Sequence, residues 1–92
     1  MDYINFIRNK PCSICFNPPP NDPHHLIAIG MGRNRNKLTE REHIEKGVVP
    51  LCRKHHQEFH NVGLKKFDKD NNSNLWADAY YWLMRYMESN NG

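Results

Sequence analysis

Apolar positions in this chain are sparse and come in short groups separated by long polar stretches. The first group, "YINFIR" (residues 3–8), is short enough to be either a strand or a helical turn. "NKPCSICFNPPPNDP" follows, and its prolines and asparagines exclude a helix and predict an extended, turned loop. In "HHLIAIG" the β-tolerant Leu26, Ile27 and Ile29 predict a strand ended by Gly30. The polar stretch up to Gly47 predicts a long loop, with a helical turn around "LTEREHIEK" where Thr39 can cap and Glu42 can complete a capping box. "GVVPL" predicts a second short strand ended by Pro50. A helix then runs from near Cys52 to about Asn61 and is closed by Gly63, and "LKKFDKDNN" forms a further turn or short helix. Ser73 or Asn74 caps a final helix through about Glu88, in which Leu75, Ala79, Trp82 or Leu83, and Tyr86 recur at helical spacing and predict a core stripe. Its aromatic residues (Trp76, Tyr80, Tyr81, Trp82, Tyr86) exceed what one face can bury, so a homodimer contact or a base-stacking surface is a second expectation.

Short strands mixed with helices in 92 residues predict a single α+β domain over 1–92, with a motif core over 11–63 and a C-terminal helical extension over about 73–89. A domain of this size gains only a few kcal/mol from an apolar core, and large apolar side chains are few between Pro11 and His60, so a staple is expected. The odd cysteine count (Cys12, Cys15, Cys52) argues against a closed disulfide framework and for histidine partners. No segment is apolar enough to span a membrane, and "MDYINFIRNK" is a poor signal peptide, so an intracellular protein is expected. The net charge of +3 is mild, but Arg33, Arg35 and Lys37 sit in "MGRNRNK" without an acid between them, which suits a polyanion.

"CSIC" and "CRKH" form two knuckle-spaced pairs of soft ligands, the pattern of a closed tetrahedral structural zinc site. A thioredoxin-like redox pair would open a helix after a strand, whereas prolines follow Cys15. On a helix wheel with Cys52 at zero, His55 lies near about −60°, His56 near about +40° and His60 near about +80°. Cys52 with His55 therefore makes one pair, completing a set of Cys12, Cys15, Cys52 and His55, and His56 with His60 makes another. Spaced i, i+4 on one face, His56 and His60 can grip a second cation. "DPHHL" adds His24 and His25. Neighbours on a strand point to opposite sides, so one of the two can ligate that cation while the other faces its open side, an arrangement for hydrolysis.

The order Cys-x-x-Cys, His-His before a strand, then Leu-Cys-x-x-His-His-x-x-x-His resembles the HNH endonucleases, most closely the small phage-type members, over residues 11 to about 63. The resemblance implies a ββα-metal (His-Me finger) site on a treble-clef-like zinc scaffold. It implies His25 as general base, with His24, His56 and His60 holding a catalytic cation, either Mn²⁺, Ni²⁺, Co²⁺ or Zn²⁺, or else Mg²⁺ with Asp22 as the nearest carboxylate. It implies DNA as partner, with Arg33, Arg35, Lys37, Arg53 and Lys54 on phosphates and Lys65 and Lys66 as helpers, and a bacterial or phage setting in the cytoplasm. One element departs from the pattern. The middle residue that buttresses the base-carrying loop falls near Gly47, which has no side chain, leaving His43 or Asn36 as substitutes. A non-catalytic treble-clef module binding nucleic acid or protein is the competing expectation, but it would leave His24, His25, His56 and His60 without a purpose.

Overall fold

Two short antiparallel strands carry helices on both faces (α1 Tyr3–Arg8, β1 Asp22–His25, α2 Glu40–Lys46, β2 Val48–Leu51, α3 Arg53–Asn71, α4 Leu75–Asn91). The computed structural model describes residues 2–28 and 37–91. This is an α+β fold, as the sequence pattern predicts. The ambiguous first segment is a helix: Asp2 caps α1 by accepting from the backbone N–H of Asn5, and Tyr3, Phe6 and Ile7 form its buried face.

The first strand lies earlier than the β-tolerant residues suggest. It runs from Asp22 to His25, so the polar "DPHH" forms the ladder, while Leu26 and Ile27 extend the pairing only by donating to the carbonyls of Gly47 (2.8 Å) and Lys46 (3.0 Å). Burial and cross-strand pairing outweigh intrinsic preference in so short a strand. Pro50 does not end β2 but lies within it, opposite Pro23. Two residues without N–H groups can face each other only where the ladder needs no donor, and the Pro50 carbonyl is used outward, accepting from the N–H of Ser13 at 2.9 Å. That bond fastens the "CSIC" turn to the sheet.

Alternation along β2 divides the core in two. Val49 and Leu51 pack with Cys12, Cys52, Leu26, Phe67, Leu75 and Ala79 on one face, and Val48 packs with Tyr3, Phe6, Ile7 and Tyr86 on the other. Helix α3 covers the first face, α1 the second, and α4 serves both. Its Leu75, Ala79 and Tyr86 are buried and Trp82 and Leu83 partly so, as the stripe predicts, while Tyr80, Tyr81, Met84 and Met87 are exposed. Asn74 is the cap, accepting from the N–H of Ala77 at 3.1 Å. The Glu40 carboxylate ties α2 to both terminal helices, accepting from the Tyr3 N–H (2.9 Å) and the Tyr86 hydroxyl (2.7 Å). Burial, with the neighbouring Tyr86 adding to it, pushes the Tyr3 phenol up to about 12.

Helix α3 is longer than expected. Gly63 (φ 81°, ψ 169°) kinks it without ending it, so "LKKFDKDNN" continues as a second helical segment that delivers Phe67 to the core. Thr39 and Glu42 form the expected capping box on α2. Among the described residues no helix is long and apolar enough to cross a membrane.

Candidate metal centres and their surroundings

Cys12 and Cys15 lie in the turn after α1, and Cys52 and His55 are the cap and the third residue of α3. Cys-x-x-His fits here because Cys52 is still extended (φ −67°, ψ 165°), so its side chain and that of His55 converge at the start of the helix. The Sγ atoms of Cys15 and Cys52 are 3.7 Å apart, and the His55 Nδ1 lies 3.2 Å from Cys52 Sγ and 3.9 Å from Cys12 Sγ. A tetrahedral zinc with bonds of about 2.3 Å to sulfur sets its sulfurs about 3.8 Å apart. The four ligand atoms all lie within 4.8 Å of one another, so the cluster fits a structural zinc ion. Burial works to raise the Cys12 thiol, but backbone N–H groups of Cys15, Cys52 and Ile14 outweigh it and hold the thiol below its ordinary value, favouring the thiolate a metal needs.

Further along α3, His56 and His60 face β1. Their Nε2 atoms are 3.0 Å apart and, with a ring nitrogen of His24, all lie within 4.8 Å of one another. The edge expected for nitrogens about 2.0–2.1 Å from a shared metal is about 3.3 Å, so this triad also fits one cation. His24 reaches it because it lies on the sheet face toward α3, its ring packed on Phe59 at 4.1 Å between centroids. Asp22, two residues earlier on the same face, does not enter the triad. Its carboxylate lies 2.9 Å from the His56 Nδ1 and 3.5 Å from the Arg53 Nε. A carboxylate on Nδ1 leaves the other nitrogen of that ring to face the cluster and raises its basicity, so Asp22 stands behind a candidate ligand. The histidines of α3 thus fall into two clusters, His55 with the cysteines and His56 and His60 with His24.

His25 points the other way. Its Nε2 is 2.8 Å from the Nδ1 of His43 on α2, with the ring centroids 5.0 Å apart. Although buried, it also lines the cleft that holds the triad, together with His24, Leu26, Ala28, His56, Phe59 and His60. His43, one of the two substitutes left open for the missing middle residue, touches His25. Asn36 lies outside the described residues, as do Arg33 and Arg35. Lys37, Arg53, Lys54, Lys65 and Lys66 are exposed; Arg53 is drawn to Asp22, and Lys66 pairs with Asp70 at 3.0 Å.

The sequence places Trp76 among the surplus aromatics of α4 but gives no sign of its contact with Gly47. Its ring lies against Gly47, where an added Cβ would come within 2.6 Å of it. Gly47 also has φ +74°, a conformation L side chains rarely adopt. A glycine before "VVPLC" was the only local signal, and nothing in spacing links it to position 76.

A family model described as "Putative HNHc nuclease" matches residues 1–83, so the matched region takes in α1 and half of α4 as well as the 11–63 core. The uncharacterized protein YdfU of Escherichia coli (strain K12) is 41% identical over 67 residues, which make up 73% of this chain and 18% of that protein. The chain therefore spans less than a fifth of the length of this curated relative. No solved structure matches the chain.

Proposed function

The chain belongs to the HNHc nuclease family, and from that premise we propose that it is a metal-dependent endonuclease that hydrolyses phosphodiester bonds of DNA. The observation that carries this reading is the cleft in which His25 meets the His24, His56 and His60 triad. Both a base and a cation-binding set are needed for this reaction, because the phosphodiester charge repels hydroxide and the leaving alkoxide is poor.

In this reading His25 acts as a neutral imidazole and takes a proton from a water in the cleft. The water oxygen bonds to phosphorus, the P–O3′ bond breaks and the departing O3′ takes a proton from bulk water, leaving a 5′ phosphate and a 3′ hydroxyl, while the proton on His25 returns to solvent. His24, His56 and His60 would hold a divalent ion, which would supply positive charge to offset that on the departing oxygen. Three imidazoles favour Mn²⁺, Ni²⁺, Co²⁺ or Zn²⁺ over Mg²⁺. Asp22, held against His56, weakens the case for an oxygen-rich Mg²⁺ site. Cys12, Cys15, Cys52 and His55 would hold a zinc ion that ties the scaffold together.

Exposed Lys37, Arg53 and Lys54, with Arg33 and Arg35, supply phosphate contacts. Such contacts carry no base information, so cleavage has weak sequence preference, and a single site yields nicks. The exposed aromatic and methionine residues of α4 support the earlier expectation of a homodimer, which would bring two nicking sites together.

The test is conversion of supercoiled plasmid to open circle by metal-stripped protein, with each divalent cation restored in turn. Cleavage that depends on the added metal and falls by about 10²–10⁴-fold in His25→Ala is expected. No cleavage with any cation, by folded protein retaining one zinc, would favour the binding module instead.

A further inference from the structure

We infer that His43 is a positioning residue for cleavage, acting through its Nδ1 on the ring of His25. The inference rests on the reading of His25 as base and goes beyond it. Three observations converge. First, the His25 Nε2 and His43 Nδ1 are at hydrogen-bonding distance, 2.8 Å, so one proton lies between the two rings. Whichever ring donates, the contact holds the ring plane of the base in one orientation.

Second, the elements that carry the two residues are locked together. The carbonyls of Lys46 and Gly47 at the end of α2 accept from Ile27 and Leu26, just beyond His25, and the Thr39–Glu42 capping box secures the other end of α2. His43 is thus held at a set distance from the base. Third, no side chain at position 47 can take this part. Its backbone has φ +74° and the Trp76 ring fills the space a Cβ would need. The supporting group has moved one turn upstream on α2, and it contacts the ring of the base directly.

The contact specifies an atom, and this makes it testable. Asparagine carries its amide oxygen and nitrogen at the δ position, where His43 has Nδ1, whereas glutamine carries them one bond further out. With purified zinc-loaded protein, supercoiled plasmid and Mn²⁺, His43→Ala is expected to lower kcat by about 100-fold with KM unchanged, the scale of a misplaced reacting group. His43→Asn should recover most of that loss and His43→Gln should not, while zinc content and Tm stay at the wild-type values in all three. Wild-type rates in His43→Ala beside an inactive His25→Ala would overturn the inference and leave the base reading standing. Asn and Gln behaving alike would overturn it too, since packing alone does not distinguish a δ from an ε atom in this way. Full activity in His25→Ala would instead remove the base reading on which the inference stands. Imidazole ¹⁵N spectra of the wild type, which need no variant to fold, should show one slowly exchanging proton between His25 Nε2 and His43 Nδ1; two independently exchanging rings would overturn the contact.

Discussion

Two ligand clusters begin within the first turns of the same helix, and they differ in almost every physical respect. The Cys12, Cys15, Cys52 and His55 set draws on two knuckles, has Cys12, Cys52 and His55 buried, and receives backbone N–H bonds on its sulfur. The His24, His56 and His60 set uses imidazole alone, has His60 exposed, and opens onto a cleft that also contains His25. Four ligands and a closed shell suit an ion that never leaves. Three ligands and an open side suit one that must meet a substrate. On the proposed reading, a rotation of about 100° between His55 and His56 separates folding from chemistry on one helix.

That contrast can be broken experimentally. The largest effect is expected from Cys52→Ala or from chelation. Loss of zinc should remove roughly 10 kcal/mol of binding energy coupled to folding and abolish the cooperative thermal transition, read by circular dichroism and zinc content. A folded, zinc-free Cys52→Ala protein would erase the distinction. His60→Ala should do the reverse: Tm should hold near the wild-type value while plasmid cleavage falls by about 10²-fold or more, as expected when a cation stabilising the leaving group is lost. If His60→Ala unfolded the chain, the second cluster would be structural.

Asp22→Asn should weaken Mn²⁺ binding by about 10–100-fold without changing zinc content, as measured by calorimetry, because it removes the carboxylate behind His56. Gly47→Ala lies outside both clusters and should cost about 1–3 kcal/mol in denaturant unfolding, from the left-handed backbone and the Trp76 contact together. Adding Trp76→Ala should relieve only the steric part, so a double-mutant cycle would separate the two. The mildest change is expected from Arg33→Ala with Arg35→Ala: both clusters stay intact, and the slope of log binding against log salt becomes shallower by about two.

Legibility from sequence followed the range of the interactions. Ligand spacing, the Thr39–Glu42 capping box and the Leu75, Ala79, Tyr86 stripe are local patterns, set within a few residues, and they could be read directly. The first strand was misplaced toward Leu26 and Ile27, because a four-residue strand owes its position to its partner and to what each face touches. Gly63 was read as a stop, yet Phe67 beyond it is drawn into the core, and that packing sustains a second helical segment.

By itself, then, the sequence determined which residues could share a metal, since backbone geometry sets side-chain direction over three or four residues. Tertiary structure alone decided that Asp22 supports His56 from behind, that His43 rather than a residue at 47 meets His25, and that Trp76 occupies the space beside Gly47. Those contacts join residues 18 to 34 positions apart, and the chain between them carries no periodic signal of where its ends will meet.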